Sequence, residues 1–145
     1  MIERCLTAEQ PGWLGLRDAL WPQPHDVQLL EMAAIVAEPR RHAAFVAYGD
    51  TRAPIGFAEA ALRTDYVNGA QASPVAFLEG LYVAPRARRQ GIGRALVAEV
   101  FRWARAIGCS EVASDALLAN EASHAVHRAL GFAETERVVF YRKEL

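Results

Sequence analysis

The stretch VAFLEGLYVAPRARRQGIGRALVAEV, Val75 to Val100, dictates three kinds of backbone in succession. An apolar run ends at Pro85, a basic cluster with Gly91 and Gly93 follows, and from Ile92 the apolar residues Ile92, Leu96, Val100, Trp103 and Ile107 recur at spacings of four, four, three and four. The run predicts a strand, and the spacing predicts a helix with one apolar stripe laid on a sheet. Gly108 supplies the stop. Gly80, inside the strand, marks a bulge or a close backbone approach. Two glycines at the mouth of a helix weaken it, which makes sense where something must come close to the backbone. A strand feeding such a turn aims unpaired N–H groups and the positive end of a helix at one point, which suits a pyrophosphate. Arg88, Arg89 and Arg94 add positive charge there. The spacing is neither GxGxxG nor GxxxxGK(S/T), so the two glycines alone leave a tight turn and a phosphate site equally open.

The rest of the chain supplies the partners of this unit. IERCL reads as a short strand, and GWLGLRDALW and VQLLEMAAIVAE as amphipathic helices separated by PQPHD and closed by Pro39. HAAFVAYGD and PIGFAEAALR form a hairpin through GDTRAP, and TDYVNGAQASP is a loop. EVASD is a further short strand, EASHAVHRAL a helix capped by Asn120 and ended at Gly131-Phe132, and ETERVVFYRK a closing strand. No repeat or linker interrupts residues 1–145, so the expectation is one mixed α+β domain, large enough to bury roughly two thirds of its unfolded surface.

Composition narrows the class of partner. Sixteen Lys and Arg against seventeen Asp and Glu give a formal charge of −1, which lacks the basic excess that nucleic-acid binding needs. No leader or bilayer-spanning apolar run is present, and a soluble cytoplasmic protein without membrane partners is expected. Cys5 and Cys109 are lone thiols with no metal or disulfide spacing, and His124 and His127, one helical turn apart, have no third ligand, so no metal is expected.

LEGLYVAPRARRQGIGRALV, taken with NEASHAVHRALGF downstream, resembles the GNAT family of acyl-CoA-dependent N-acetyltransferases, whose (Arg/Gln)-x-x-Gly-x-(Gly/Ala) hallmark falls on Arg88, Gly91 and Gly93. LWP at 20–22, DYVNG at 65–69, FLEG at 77–80, ASD at 113–115 and the terminal ETERVVFYRK are similar to bacterial aminoglycoside 6'-N-acetyltransferases. The resemblance implies a mixed, mostly antiparallel sheet flanked by helices, a homodimer, and acetyl-CoA as cosubstrate. It implies a coenzyme A pyrophosphate on the backbone of Arg89, Gln90, Gly91, Ile92, Gly93 and Arg94, following Arg88. It further implies a pantetheine arm along Leu81, Tyr82 and Val83 that Asn120 touches, and drug contacts from Trp21, Tyr66, Asp115 and Glu136.

Acetyl transfer to an amine needs a neutral amine, and near pH 7 a carboxylate must attract the ammonium and accept its proton. Glu79, in an otherwise apolar strand beside Gly80, is the first candidate, although alternation in FLEGLYV also allows it to be a solvent-facing strand residue. Asp115, at the end of the next strand, is the second, with turn capping as its plain alternative. Trp21 by itself reads as core, and Glu136 as surface. His127 stands where many GNAT enzymes carry the tyrosine that protonates the departing thiolate, which leaves the thiolate to depart unassisted or take its proton from solvent. Aminoglycoside 6'-N-acetylation, conferring resistance, is the leading expectation. A polyamine, another small amine or a protein N-terminus as acceptor is the alternative within the family, and a non-catalytic acyl-CoA-binding module is the alternative outside enzymes.

Overall fold

The computed structural model describes residues 1–145. Its elements are β1 (Ile2–Arg4), α1 (Trp13–Leu20), α2 (His25–Ala37), β2 (His42–Tyr48), β3 (Pro54–Arg63), β4 (Val75–Val83), a 3-10 turn at Pro85–Ala87, α3 (Ile92–Ala106), β5 (Val112–Ala113) and α4 (Glu121–Ala129). The strands lie side by side in chain order, antiparallel except for the β4–β5 pair, which is parallel. This is the mixed, mostly antiparallel α+β sheet that the resemblance implies.

Alternation on β2 shows how the sheet divides two cores. Ala43, Phe45 and Ala47 face one side, where Leu96, Val97, Val100 and Trp103 of α3 cover them. Ala44, Val46 and Tyr48 face the other, against Trp13 and Leu16 of α1 and Met32 of α2. The apolar stripe of α3 is therefore the stripe read from its spacing, with Leu96 and Val100 fully buried and Ile92 and Ile107 at its margins. Cys5 and Cys109 are both buried and free, one in each core.

Two features of β4 position the site. Glu59 pairs with Gly80 but Ala60 with Leu78, so Glu79 is the extra residue of a bulge. The pairing with β5 covers only Ala76↔Val112 and Phe77↔Ala113. Beyond Phe77, β4 keeps β3 on one side and presents an open backbone edge on the other.

The closing strand expected at ETERVVFYRK does not form: from Phe132 to Leu145 the chain has no regular element. A strand exists only by pairing, and this segment pairs with no strand of its own chain: the sheet ends at β5, which is only two residues long. Val139, Phe140 and Tyr141 are left 74%, 84% and 92% exposed.

Candidate active site

The turn before α3 is built to leave its amides free. Arg89 and Gly91 adopt positive φ, 63° and 81°, and the helix that starts at Ile92 has no side-chain cap. Uncapped first-turn N–H groups are donors awaiting an acceptor. Around Gly91 nothing lies within 4 Å of an added Cβ, and around Gly93 the nearest atoms are side-chain methyls at 3.8 and 3.9 Å. Packing explains neither glycine: the left-handed φ of Gly91 calls for glycine on its own, and an anion resting on the backbone accounts for Gly93. The arginines nearby are partly engaged elsewhere: Arg88 Nε donates to the Val83 carbonyl at 2.8 Å, and Arg94 Nη2 donates to the Ala129 carbonyl at 2.9 Å, tying α3 to the end of α4. Leu81, Tyr82 and Val83 lie on the open edge of β4, where backbone groups can pair with an amide-bearing arm. Loop and edge together fit a coenzyme A.

On the sheet face covered by α1 and α2, a cleft of about 600 Å³ is lined by Trp21, Gln23, Glu31, His42, Glu59 and Glu79 among others. Three carboxylates line it, Glu31 and Glu59 sharing Arg17 and Glu79 paired with Arg63 at its rim. Glu79 is one third exposed and accepts from Arg63 Nε and Nη2 at 3.2, 2.9 and 3.0 Å. Arg63 in turn stacks its guanidinium 3.6 Å from the Phe77 ring centroid. Trp21 closes the cleft from α1: its indole fills the space above Gly80, where an added Cβ would stand 2.3 Å from the ring, and it meets Phe57 edge-on at 5.7 Å. Gly80 thus has both of the features expected of it, a bulge beside it and a close approach.

Beneath the cleft lies a polar network that the sequence reading did not single out. Glu59, 5% exposed, accepts from Trp13 Nε1 at 2.8 Å and from Arg17 Nη1 at 2.9 and 3.0 Å. Arg17 donates through Nε to Gln28 at 2.8 Å and through Nη2 to Glu31, and its guanidinium lies 5.2 Å from the Trp21 ring. Burial pushes the Glu59 carboxyl above the usual carboxylate range, opposed by the charge of Arg17. The signal was present: Glu59 interrupts the apolar run GFAEAAL just as Glu79 interrupts VAFLEGLYV.

The other expected site residues are less closely gathered. Asp115 is exposed and lies two residues past the end of β5, which stops at Ala113, so it stands beyond the strand rather than at its end as expected. Tyr66, 79% exposed, projects from the loop between β3 and β4, and Thr135 packs against Gly69 of that same loop, which sets Glu136 beside it. Asn120 caps α4, accepting from the Ser123 amide at 3.1 Å. The two histidines of α4 turn to different partners, His124 to the Leu118 carbonyl at 2.9 Å and His127 to Ser114 Oγ at 2.8 Å.

A β-strand parting from its neighbour, an uncapped glycine turn and an acid-lined cleft across the sheet suit an acyl-CoA donor and a cationic acceptor. The profile of the acetyltransferase (GNAT) family matches residues 12–132, and the chain belongs to that family. It is 56% identical to an aminoglycoside N(6')-acetyltransferase type 1 of Serratia marcescens, over 100% of this chain and 99% of that protein. A crystal structure of the aminoglycoside antibiotic 6'-N-acetyltransferase AAC(6')-Ih from Acinetobacter baumannii superposes with a TM-score of 0.92 at 46% identity, covering 100% and 99% of the two chains. AAC(6')-Iy in complex with the bisubstrate analogue CoA-S-monomethyl-acetylneamine gives 0.93 at 45% identity, covering 100% and 98%.

Proposed function

We propose that this chain transfers the acetyl group of acetyl-CoA to the 6'-amine of aminoglycoside antibiotics and thereby confers resistance to them. The observation that carries this reading is the placement of Glu79, bulged out of β4 close to the point where β4 loses β5, with its carboxylate in the acidic cleft. Full-length similarity to 6'-N-acetyltransferases, one of them bound to an analogue joining coenzyme A and an aminoglycoside, supports the same donor and acceptor.

In this reading the backbone from Arg89 to Arg94 binds the pyrophosphate, the edge Leu81–Val83 pairs with the pantetheine arm, and Asn120 touches that arm. When bound, the cosubstrate supplies an activated acetyl thioester. The cleft attracts a polycation through Glu31 and Glu79, and the arriving ammonium competes with Arg63 for Glu79. Glu79 then accepts the ammonium proton, directly or through one water, while Asp115, Trp21, Tyr66 and Glu136 orient the sugar rings. The enzyme acts in the cytoplasm, a reading supported by free thiols held apart in separate cores, and it acts as a homodimer, supported by the exposed apolar tail.

The test is product analysis. Kanamycin A and tobramycin, which carry a 6'-amine, are acetylated, and fragmentation by mass spectrometry locates the acetyl group at the 6' nitrogen. Paromomycin, which carries a hydroxyl there, turns over far more slowly or only inhibits. Acetylation of paromomycin on another amine at a comparable rate would overturn the 6' assignment.

A further inference from the structure

Ser114 and His127 form a pair at the place where β5 ends, and the chemistry above leaves it unused. Ser114 follows the last paired residue of β5, and its Oγ is 3.5 Å from the Leu78 carbonyl oxygen, so it stands across the opening between β4 and β5. His127 reaches it from α4, with Nε2 2.8 Å from Ser114 Oγ. The other ring nitrogen, Nδ1, is 2.7 Å from the Ser123 carbonyl oxygen. The Ser123 hydroxyl is also 3.3 Å from Nδ1, but the carbonyl is nearer and only accepts, which favours the hydrogen on Nδ1 in the neutral ring. In the neutral ring, Nε2 accepts the hydroxyl hydrogen of Ser114. In the imidazolium, Nε2–H donates to Ser114 Oγ, and the hydroxyl hydrogen turns toward Leu78. Both states keep the contact between His127 and Ser114, and Phe132, edge-on to the imidazole at 5.3 Å, packs against the ring. Both side chains are only partly buried, so solvent can reload the histidine.

We propose that Ser114, fed by His127, delivers the proton that the departing sulfur takes up. The proposal rests on the acetyltransferase reading. As the acceptor nitrogen bonds to the acetyl carbon, the carbon–sulfur bond breaks and leaves its electron pair on sulfur. Ser114 passes its hydroxyl proton to that sulfur and takes the Nε2 proton of imidazolium His127. Ser114 ends unchanged, and His127 ends neutral with its hydrogen on Nδ1. Solvent returns the proton to His127, and Glu79, having released the ammonium proton to solvent, takes up the second proton shed by the acceptor nitrogen. Ser114 thus does at the mouth of the strand gap what His127, held to Ser123 and Ser114, does not do directly.

Single-turnover acetylation of kanamycin A with the full-length enzyme tests this. Ser114→Ala slows transfer by about tenfold or more, within the range of general acid catalysis, while calorimetric coenzyme A affinity is unchanged. Ser114→Thr, which keeps the hydroxyl, restores most of the rate. His127→Gln, which cannot pass a proton to Ser114, is slowed to a similar degree as Ser114→Ala. A readout independent of turnover is the ¹⁵N spectrum of His127, which shows the Nδ1–H tautomer and responds at Nε2 to coenzyme A but not to the desulfo analogue. Wild-type transfer rates in both Ser114→Ala and His127→Gln would overturn the relay alone. So would an Nε2–H tautomer in the neutral ring. Absence of acetyl transfer by the wild-type enzyme would overturn the acetyltransferase reading and the relay with it.

Discussion

Single residues separate folding from binding at this site. Gly93 lies in the first turn of α3, and a methyl group added to its Cα would meet no neighbour closer than 3.8 Å, so Gly93→Ala has room. Alanine in place of glycine within a helix stabilises by roughly 0.5–1 kcal/mol. The expected outcome is a domain whose melting temperature is equal or slightly raised but whose coenzyme A affinity falls, because the methyl stands where the anion approaches the amides. Calorimetry and thermal unfolding on the same sample check both halves. Gly91 differs, since its φ of 81° charges any side chain about 1–2 kcal/mol of backbone strain before a ligand is considered. The carboxylates separate in the same way by kinetics. Glu79→Gln lowers turnover at neutral pH because no group remains to take the ammonium proton, and Asp115→Asn raises KM for the drug, with acetyl-CoA affinity nearly unchanged in both. Steady-state kinetics with kanamycin A decides, and wild-type constants in both variants would make the two acids structural.

At the scale of elements, α1 is held to the sheet by a buried charge pair, and that pair sets the position of Trp21 in the cleft wall. Arg17 is 3% exposed and Glu59 5%, so removing one partner strands the other in a dry site, at a cost of about 3–5 kcal/mol. Arg17→Met and Glu59→Gln are each expected to destabilise on that scale, whereas Arg17→Met with Glu59→Met costs less than either alone. The sign of the pH effect follows from the direction of the Glu59 shift. A carboxyl whose folded-state pKa is raised binds its proton more tightly when folded, so its contribution is present at acidic pH and is lost as pH rises through the folded value. Arg17→Met removes the opposing charge and enlarges the effect: its stability falls more steeply than that of the wild type between the ordinary carboxylate range and neutrality. Denaturant unfolding at several pH values measures it. These elements also show which signals a sequence carries. The helix α3, the glycine turn and the hairpin were legible because period and turn chemistry are local. The bulge at Glu79 was half legible, through Gly80. The Arg17–Glu59 pair was not, because an arginine on an amphipathic helix and a glutamate in a strand, 42 residues apart, reveal their contact only after the sheet has formed. His127 stands out by its position in the chain, but its partner Ser114 comes from a different element and could not be read.

Over the whole molecule, the one segment whose sequence and structure disagree is the tail. RVVFYRK holds an unbroken run of β-branched and aromatic residues between charged ones, as a buried strand does, yet Val139, Phe140 and Tyr141 are exposed. An apolar strand without an edge to join is the usual mark of a chain that finds its edge elsewhere, and a second copy offers an identical tail and an identical short β5. The root of the tail is held where Thr135 lies against the Gly69 loop between β3 and β4. The expected outcome is that the wild-type protein sediments at twice the 15.9 kDa mass of one chain. Phe140→Glu combined with Tyr141→Glu places charges on side chains already in solvent in the single chain, so folding is preserved while association is lost. Analytical ultracentrifugation of this variant should give one chain. Coenzyme A binding should survive, because β4 and α3 lie in the same protomer, whereas KM for the drug should rise if Glu136 serves a cleft that the second copy completes. Wild-type protein that sediments as a single chain at micromolar concentration, with full activity, would show that the tail has no partner and that Glu136 acts, if at all, within its own subunit.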